Sequence, residues 1–514
     1  MTAASTPSSS PPAGEIALDS GAGRTVIAAT VAGSAVAMLT ATVVNVALPV
    51  LADDLGANSG QQQWVVNAYL LALASLILIG GNLGDRYGRV RMYQIGVAWF
   101  AGASLLCALA PSIEWLIAGR LLQGIGGALL TPGSLAIIES TLRPDDRGRG
   151  VGQWSGLGGI AGAIGPLIGG LLVDLSWRWV FLVNLPVAAV VLLLSVRVPE
   201  SSDPEAHDAA LDLGGAILTA TTLGGASYVL IEGGSGGFGA LDWVALVVAV
   251  VSLVGLIWYE RRQEHPIVPF ELFANRPFAA ANLVTVLVYG GMGVVFFLLS
   301  IQLQVSLGWS PLASGAALLP VTVMMLVLSS RFGAAAQKVG PRWPLTVGPL
   351  LIAGGMLWFS GVGPGDGYLT AVLPGVLIFG FGLAVSVAPV TSTALGTVPA
   401  ERAGAASGVN NAVARTGQLL AVAAIPPLVG LGGDALGDPV QLTDGFGTAM
   451  YVGAALVAFG GLASAVLFES GPLRGPTGAE GEAADGAGLG VVDDVDSRFH
   501  CAVESPGAVG SASR

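Results

Sequence analysis

Apolar stretches of about 20 residues, the length needed to cross a bilayer, recur along this chain with short polar breaks between them. Fourteen can be counted, centred near Ser34, Leu73, Ala101, Gly126, Gly162, Val190, Thr222, Val251, Val294, Val323, Ala353, Gly380, Gln418 and Leu456. Six lie within 24–198. A polar segment from Pro199 to Asp212 opens a linker, 199–276, that holds two more, and six follow within 277–468. The pattern predicts an all-α integral membrane protein with 14 transmembrane helices in a 6+2+6 arrangement. The Ser/Pro-rich start, 1–23, and the Gly/Ala/Asp-rich end, 469–514, offer too little apolar surface to fold and are expected to be disordered. The start has no basic segment ahead of a short apolar core, so it does not read as a cleaved signal peptide.

Charge gives these helices an orientation. Of the 21 lysines and arginines, 18 precede the first span, occupy every second loop or sit in the tail. Arg178 alone falls in a loop on the other side, while Arg120 and Arg415 lie inside spans. Cytoplasmic loops carry the Lys/Arg excess, so both termini are expected in the cytoplasm. A thirteen-span count breaks the alternation. Composition agrees with lipid as the solvent: mean hydropathy is +0.75 and 11% of residues are charged. The single lysine, Lys338, among 76 glycines and many arginines suits a GC-rich bacterial coding bias. A bacterial cytoplasmic (inner) membrane is therefore the expected location.

The chemistry is first a matter of exclusion. His207, His265 and His500 are all in loops or the tail, and Cys107 and Cys501 do not form a framework. A metal site or a histidine base has no material here. A P-loop needs Gly-Lys-Ser/Thr, and Gln337 precedes the only lysine. Hence neither an enzyme, a cofactor, a metal, a nucleotide nor a nucleic acid is expected. The expected partners are the lipid bilayer and a small-molecule substrate. Six-plus-six spans suit a transporter of repeated halves with its substrate site between them.

Three segments stand out. Gly81-Asn-Leu-Gly84-Asp85-Arg86-Tyr-Gly88-Arg89-Val-Arg91 separates spans two and three. Its glycines allow a sharp turn, and Asp85 is placed to cap a helix or pair with an arginine, unless the segment is only a positive-inside turn. Span four carries Arg120-Leu-Leu-Gln123-Gly124. A charge inside a span is costly and normally faces an interior cavity; the alternative is a side chain that snorkels to the interface. Span five carries three Gly-xxx-Gly pairs, 152/156, 158/162 and 165/169, with Pro166 beside the last, which gives a smooth face for packing.

The first segment resembles the signature of the major facilitator superfamily at every fixed position. The second resembles the family's span-four motif, whose arginine is tied to proton coupling. Gly165-Pro166-Leu-Ile-Gly169-Gly170 resembles its antiporter motif, with Ala161 replacing one expected glycine. Trp177-Arg178-Trp179-Val-Phe181-Leu-Val-Asn184-Leu-Pro186, Thr42-Val-Val-Asn45-Val-Ala-Leu48-Pro49 and Gly404-Ala-Ala-Ser407-Gly408-Val-Asn410-Asn411, leading to Arg415, are similar to segments of fourteen-helix drug:proton antiporters of the QacA/EmrB type. Gly333 to Arg342 looks like a degraded copy of the signature. The resemblance implies export of small amphipathic compounds by alternating access, with a proton as a further partner. It casts Gly81, Asp85, Arg86, Gly88 and Arg89 as a conformational latch, and Arg120, Gln123, Thr40, Asn45 and Arg415 as coupling or cavity residues. One departure stands out: Thr40 occupies the position where the family has an acid. That keeps open an uptake carrier or gradient-free facilitator. With Arg120 and Arg415 at depth and no acid beside them, neutral or anionic cargo is expected.

Overall fold

The computed structural model describes residues 14, 16–202, 211–233, 238–263, 266, 268–399, 402–469 and 471, without the side chains of 155, 156, 158–163 and 403. His207, His265, Ser235, most of the N-terminal segment and the tail from 472 lie outside these residues. The helices are α1 (Gly21–Leu55), α2 (Ser59–Tyr87), α3 (Arg89–Ala108), α4 (Ile113–Thr141), α5 (Pro144–Leu175), α6 (Trp179–Ser195), α7 (Leu213–Glu232) and α8 (Ala240–Glu260). They continue with α9 (Arg276–Ser306), α10 (Pro311–Val339), α11 (Arg342–Phe359), α12 (Tyr368–Gly396), α13 (Ala403–Leu428) and α14 (Pro439–Leu467). Among the described residues nine of them are long and apolar enough to cross a membrane: α1, α2, α4, α7, α8, α9, α10, α12 and α14. Shorter apolar stretches are Ile164–Leu175 in α5 and the whole of α6. The fourteen expected crossings are therefore fewer by this measure, although each named centre falls inside a helix.

Local chemistry sets the ends of these helices. Gly56 takes a left-handed conformation after α1 (φ 64°), and Asn58 with Gln61 forms a reciprocal cap at the start of α2. The segment expected as a loop between spans two and three is helical on both sides of one residue. Gly81, Asp85, Arg86 and Tyr87 belong to α2, Arg89 opens α3, and Gly88 (φ 106°) makes the whole turn. The junction of α10 and α11 also turns at a glycine of positive φ, Gly340 (φ 89°), followed by Pro341.

The expected disorder of 1–23 needs shortening. Ile16 and Leu18 are buried, Ile16 pairs with Leu142, and Arg143 N donates to the Ile16 carbonyl at 3.1 Å. Two large apolar side chains within an otherwise polar start find room beside the α4–α5 junction.

Two halves with one packing plan result. α3 lies on α4 as α11 lies on α12, α2 on α4 as α10 on α12, and α1 on α5 as α9 on α13. Small residues permit the close approaches: a Cβ on Gly126 of α4 would meet the Phe100 backbone at 2.7 Å, and one on Gly382 of α12 would meet Ile352 N at 2.6 Å. α8 turns Val244, Val251 and Val254 outward, each about 60% exposed, as suits contact with lipid tails rather than water. The halves are fastened together at the arginine-poor end. There Ser59 N donates to Gly433 O (2.7 Å), Leu436 N to Ser59 Oγ (3.0 Å) and Gln304 Nε2 to Val46 O (2.9 Å).

Candidate functional site

Arg120 lies on α4 and is 1% exposed. A guanidinium only donates hydrogen bonds and cannot give up its charge, so its surroundings must supply oxygens. Its Nε donates to the Val65 carbonyl of α2 at 2.9 Å, and its Nη1 donates to Gln123 Oε1 one turn along. Its central carbon sits 4.5 Å from the centre of the Tyr69 ring, a cation–π contact. It does not line an open cavity in this state, as the sequence suggested, nor does it snorkel to the surface.

Arg120 heads a directed chain of hydrogen bonds. Because Gln123 must offer its oxygen to the arginine, its amide nitrogen faces away, and Nε2 donates to Ser104 Oγ of α3 at 2.7 Å. Ser104 in turn donates to the Phe100 carbonyl at 2.7 Å, so its oxygen also accepts Asn184 Nδ2 of α6, at 3.3 Å. That orients the Asn184 oxygen toward Thr40 on α1, whose hydroxyl approaches it at 3.1 Å while also contacting the Val36 carbonyl at 2.8 Å. All five side chains are at most 2% exposed. The donor-only character of one arginine thus fixes the orientation of two amides across four helices, α1, α3, α4 and α6. Apart from Arg120, every member is uncharged.

Of the residues picked from the sequence, Arg120, Gln123 and Thr40 are brought together. Asn45 is not in the chain; it is buried farther along α1, and its Oδ1 has no hydrogen-bond partner. Arg415 sits half-buried on α13, where Nη1 donates to Gln418 Oε1 at 3.2 Å, the same three-residue spacing as Arg120 and Gln123. α2, which carries Tyr69, also packs on α13, which carries Arg415. Ser104, Asn184 and Tyr69 carry no sequence signal of their own, except that Asn184 falls in the span-six segment.

In the signature segment, Asp85 Oδ1 pairs with Arg89 Nε at 2.7 Å across the Gly88 break, and Arg86 lies over the Tyr87 ring. Gly81 faces Pro132 of α4. Span five splits its small residues between two partners. A Cβ on Gly165 would strike Thr42 Oγ1 and one on Gly169 would meet Val43, both on α1. A Cβ on Gly170 would lie 2.5 Å from Leu312 Cα of α10, and the Pro166 carbonyl fills the space beside Gly315. The motif therefore packs α5 on its own half with one face and on the opposite half with the other. Gly152 faces open space, while Gly156, with which it is paired, and the pair Gly158 and Gly162 lie outside the described side chains. A cavity of about 640 Å³ lies at the arginine-poor end between the halves, lined among others by Asp53, Gln62, Gln304, Trp309 and Asp434. It is separate from the Arg120 chain.

Residues 30–422 match the family model described as Major Facilitator Superfamily. The chain is 33% identical over 394 residues to the tetracenomycin C resistance and export protein of Streptomyces glaucescens, covering 76% of this chain and 73% of that one. It is 36% identical over 392 residues to the puromycin resistance protein of Streptomyces alboniger, covering 75% and 78%. Among solved structures, a peptide transporter in complex with sulfate superposes with a TM-score of 0.62 at 14% identity, over 88% of this chain and 98% of that one.

Proposed function

The chain belongs to the major facilitator superfamily, and from that premise we propose that it exports small amphipathic compounds such as a drug, antibiotic or secondary metabolite. The observation that carries export is the likeness, over three quarters of the chain, to a protein named for tetracenomycin C resistance and export. We place it among the fourteen-helix antiporters, with all fourteen helices crossing a bacterial inner membrane, both termini cytoplasmic, and α7–α8 inserted between halves 24–198 and 277–468. On this reading the arginine-poor end faces outward, and the hydrogen bonds at Ser59 and Gln304 close the outer gate. Cargo then enters from the cytoplasm and leaves after the two halves rock.

Arg120 supplies a fixed positive charge near the path, held in place by Val65, Gln123 and Tyr69. A cation leaving water meets repulsion there that a low-dielectric interior screens poorly. A neutral or acidic amphipath does not. Proton entry as the driving step is the family's implication. The Arg120–Thr40 chain holds no group that titrates near neutral pH, so a proton carrier lies outside it.

The Thr40 substitution supports a second reading, a gradient-free facilitator. Abolishing the proton gradient with a protonophore during an efflux assay separates the two: a coupled exporter stops, whereas a facilitator continues to equilibrate its cargo. A strain that accumulates amphipathic antibiotics equally with and without the protein removes both.

A further inference from the structure

Glu200 follows α6 at the arginine-rich end and reaches back to the signature segment. Its two carboxylate oxygens accept the N–H groups of Val90 and Arg91, both at 2.9 Å, in the first turn of α3. Arg89 N donates to the Ser201 carbonyl at 2.9 Å, and the Ser201 and Ser140 hydroxyls lie 2.8 Å apart. An anion at a helix N-terminus satisfies otherwise unpaired donors and meets the positive end of the helix dipole. Gly88 makes room for it, because a Cβ there would stand 2.8–3.0 Å from the Glu200 carboxyl group. The start of the linker is thereby fastened to α3 and α4.

The linker helices continue along the same half. Gly60 lies by Ile231, Gly224 by Leu71, and Ala216 clusters with Ile79, so α7 follows α2 over most of its length. Trp64 Nε1 donates to Glu232 Oε1 at 3.2 Å near the arginine-poor end. α8 follows α7 through Thr221 and Ser252, 2.9 Å apart, and through the close seat of Gly225 on Ala245 and Ala249. On its other flank α7 touches α13 of the second half.

We infer that α7 and α8 travel with the first half during the transport cycle, that Glu200 is the positioning residue that ties them to it at the arginine-rich end, and that the sliding surface is α7 against α13. This rests on the alternating-access reading, and the test separates the two. In a cysteine-free background, spin labels replace Trp115 (α4), Leu241 (α8) and Val440 (α14), all exposed at the arginine-poor end. Gly315→Trp wedges α10 from α5; Gly170→Leu serves if that variant is poorly produced. Lengthening of the Trp115–Val440 distance reports that the halves separate, and its constancy counts against alternating access. Given separation, Leu241–Val440 should lengthen by about 5 Å or more, with Trp115–Leu241 unchanged. Lengthening of Trp115–Leu241 at constant Leu241–Val440 overturns the inference. At the arginine-rich end, Glu200→Ala should broaden the Arg149–Gln263 distance distribution, with Glu200→Gln, which keeps one acceptor, intermediate. An unchanged width in Glu200→Ala removes Glu200 from the role.

Discussion

Thr40 on α1 and Arg120 on α4 are joined without a gap by hydrogen bonds through Asn184, Ser104 and Gln123. The hydroxyl of Thr40 is thus wired to the buried charge, although neither touches the other.

Ser104 is the branch point, and its loss should cost more than the loss of Thr40 at the uncharged end. Ser104→Ala unpairs two buried amide N–H groups, each worth roughly 1–3 kcal/mol when left unsatisfied. Thr40→Val leaves one buried acceptor, Asn184 Oδ1, without its donor, roughly 1–3 kcal/mol for a single group. Thermal unfolding in detergent should therefore rank Ser104→Ala well below Thr40→Val. Equal melting temperatures argue that the chain is not continuous.

Arg120→Lys keeps the charge but cannot reach the Val65 carbonyl and Gln123 while lying over Tyr69. A hydrogen bond to a charged group contributes about 1.5–3 kcal/mol, with tenfold per 1.4 kcal/mol. Efflux should fall about tenfold to a hundredfold at unchanged membrane abundance. Native efflux in Arg120→Lys says that charge alone suffices and that the planar fork is idle.

Asp85 pairs with Arg89 across Gly88 at the arginine-rich surface, away from the Arg120 chain. Asp85→Asn should slow transport while cargo binding to purified protein stays within a few-fold. Normal transport by this variant leaves the segment as an ordinary turn.

Orientation is tested by single cysteines in a cysteine-free background. Ser235, between α7 and α8, should react with an impermeant thiol reagent in intact cells, and Ser202 only after lysis. Equal labelling contradicts fourteen crossings with cytoplasmic termini.

Helix positions were legible in the sequence because an apolar run is a local property, and each centre lies within a helix. Arg120 was legible as a charge at depth, where charge is expensive, whereas Gln123 and Thr40 were picked through the resemblance to the family's motifs. Ser104 and Asn184 were not: a serine that also returns its proton to the preceding turn looks like any span serine, and only the fold sets it beside two amides. Glu200 escaped for a similar reason, since its partners are backbone N–H groups 109 and 110 residues away. The signature segment read as a loop because its glycines suggest turning, yet Gly88 makes the turn alone.

The most direct test of export under a fixed interior positive charge is uptake into everted membrane vesicles energised to acidify their lumen. A neutral or monoanionic fluorescent amphipath and ethidium are compared for the natural sequence, Arg120→Gln and Thr40→Asp. The natural protein should accumulate the neutral or anionic dye until a protonophore is added and leave ethidium near the empty-vesicle level. Arg120→Gln should lose the former, and Thr40→Asp should gain ethidium transport. Strong, protonophore-sensitive ethidium accumulation by the natural sequence, with no transport of the neutral or anionic dye, would contradict it.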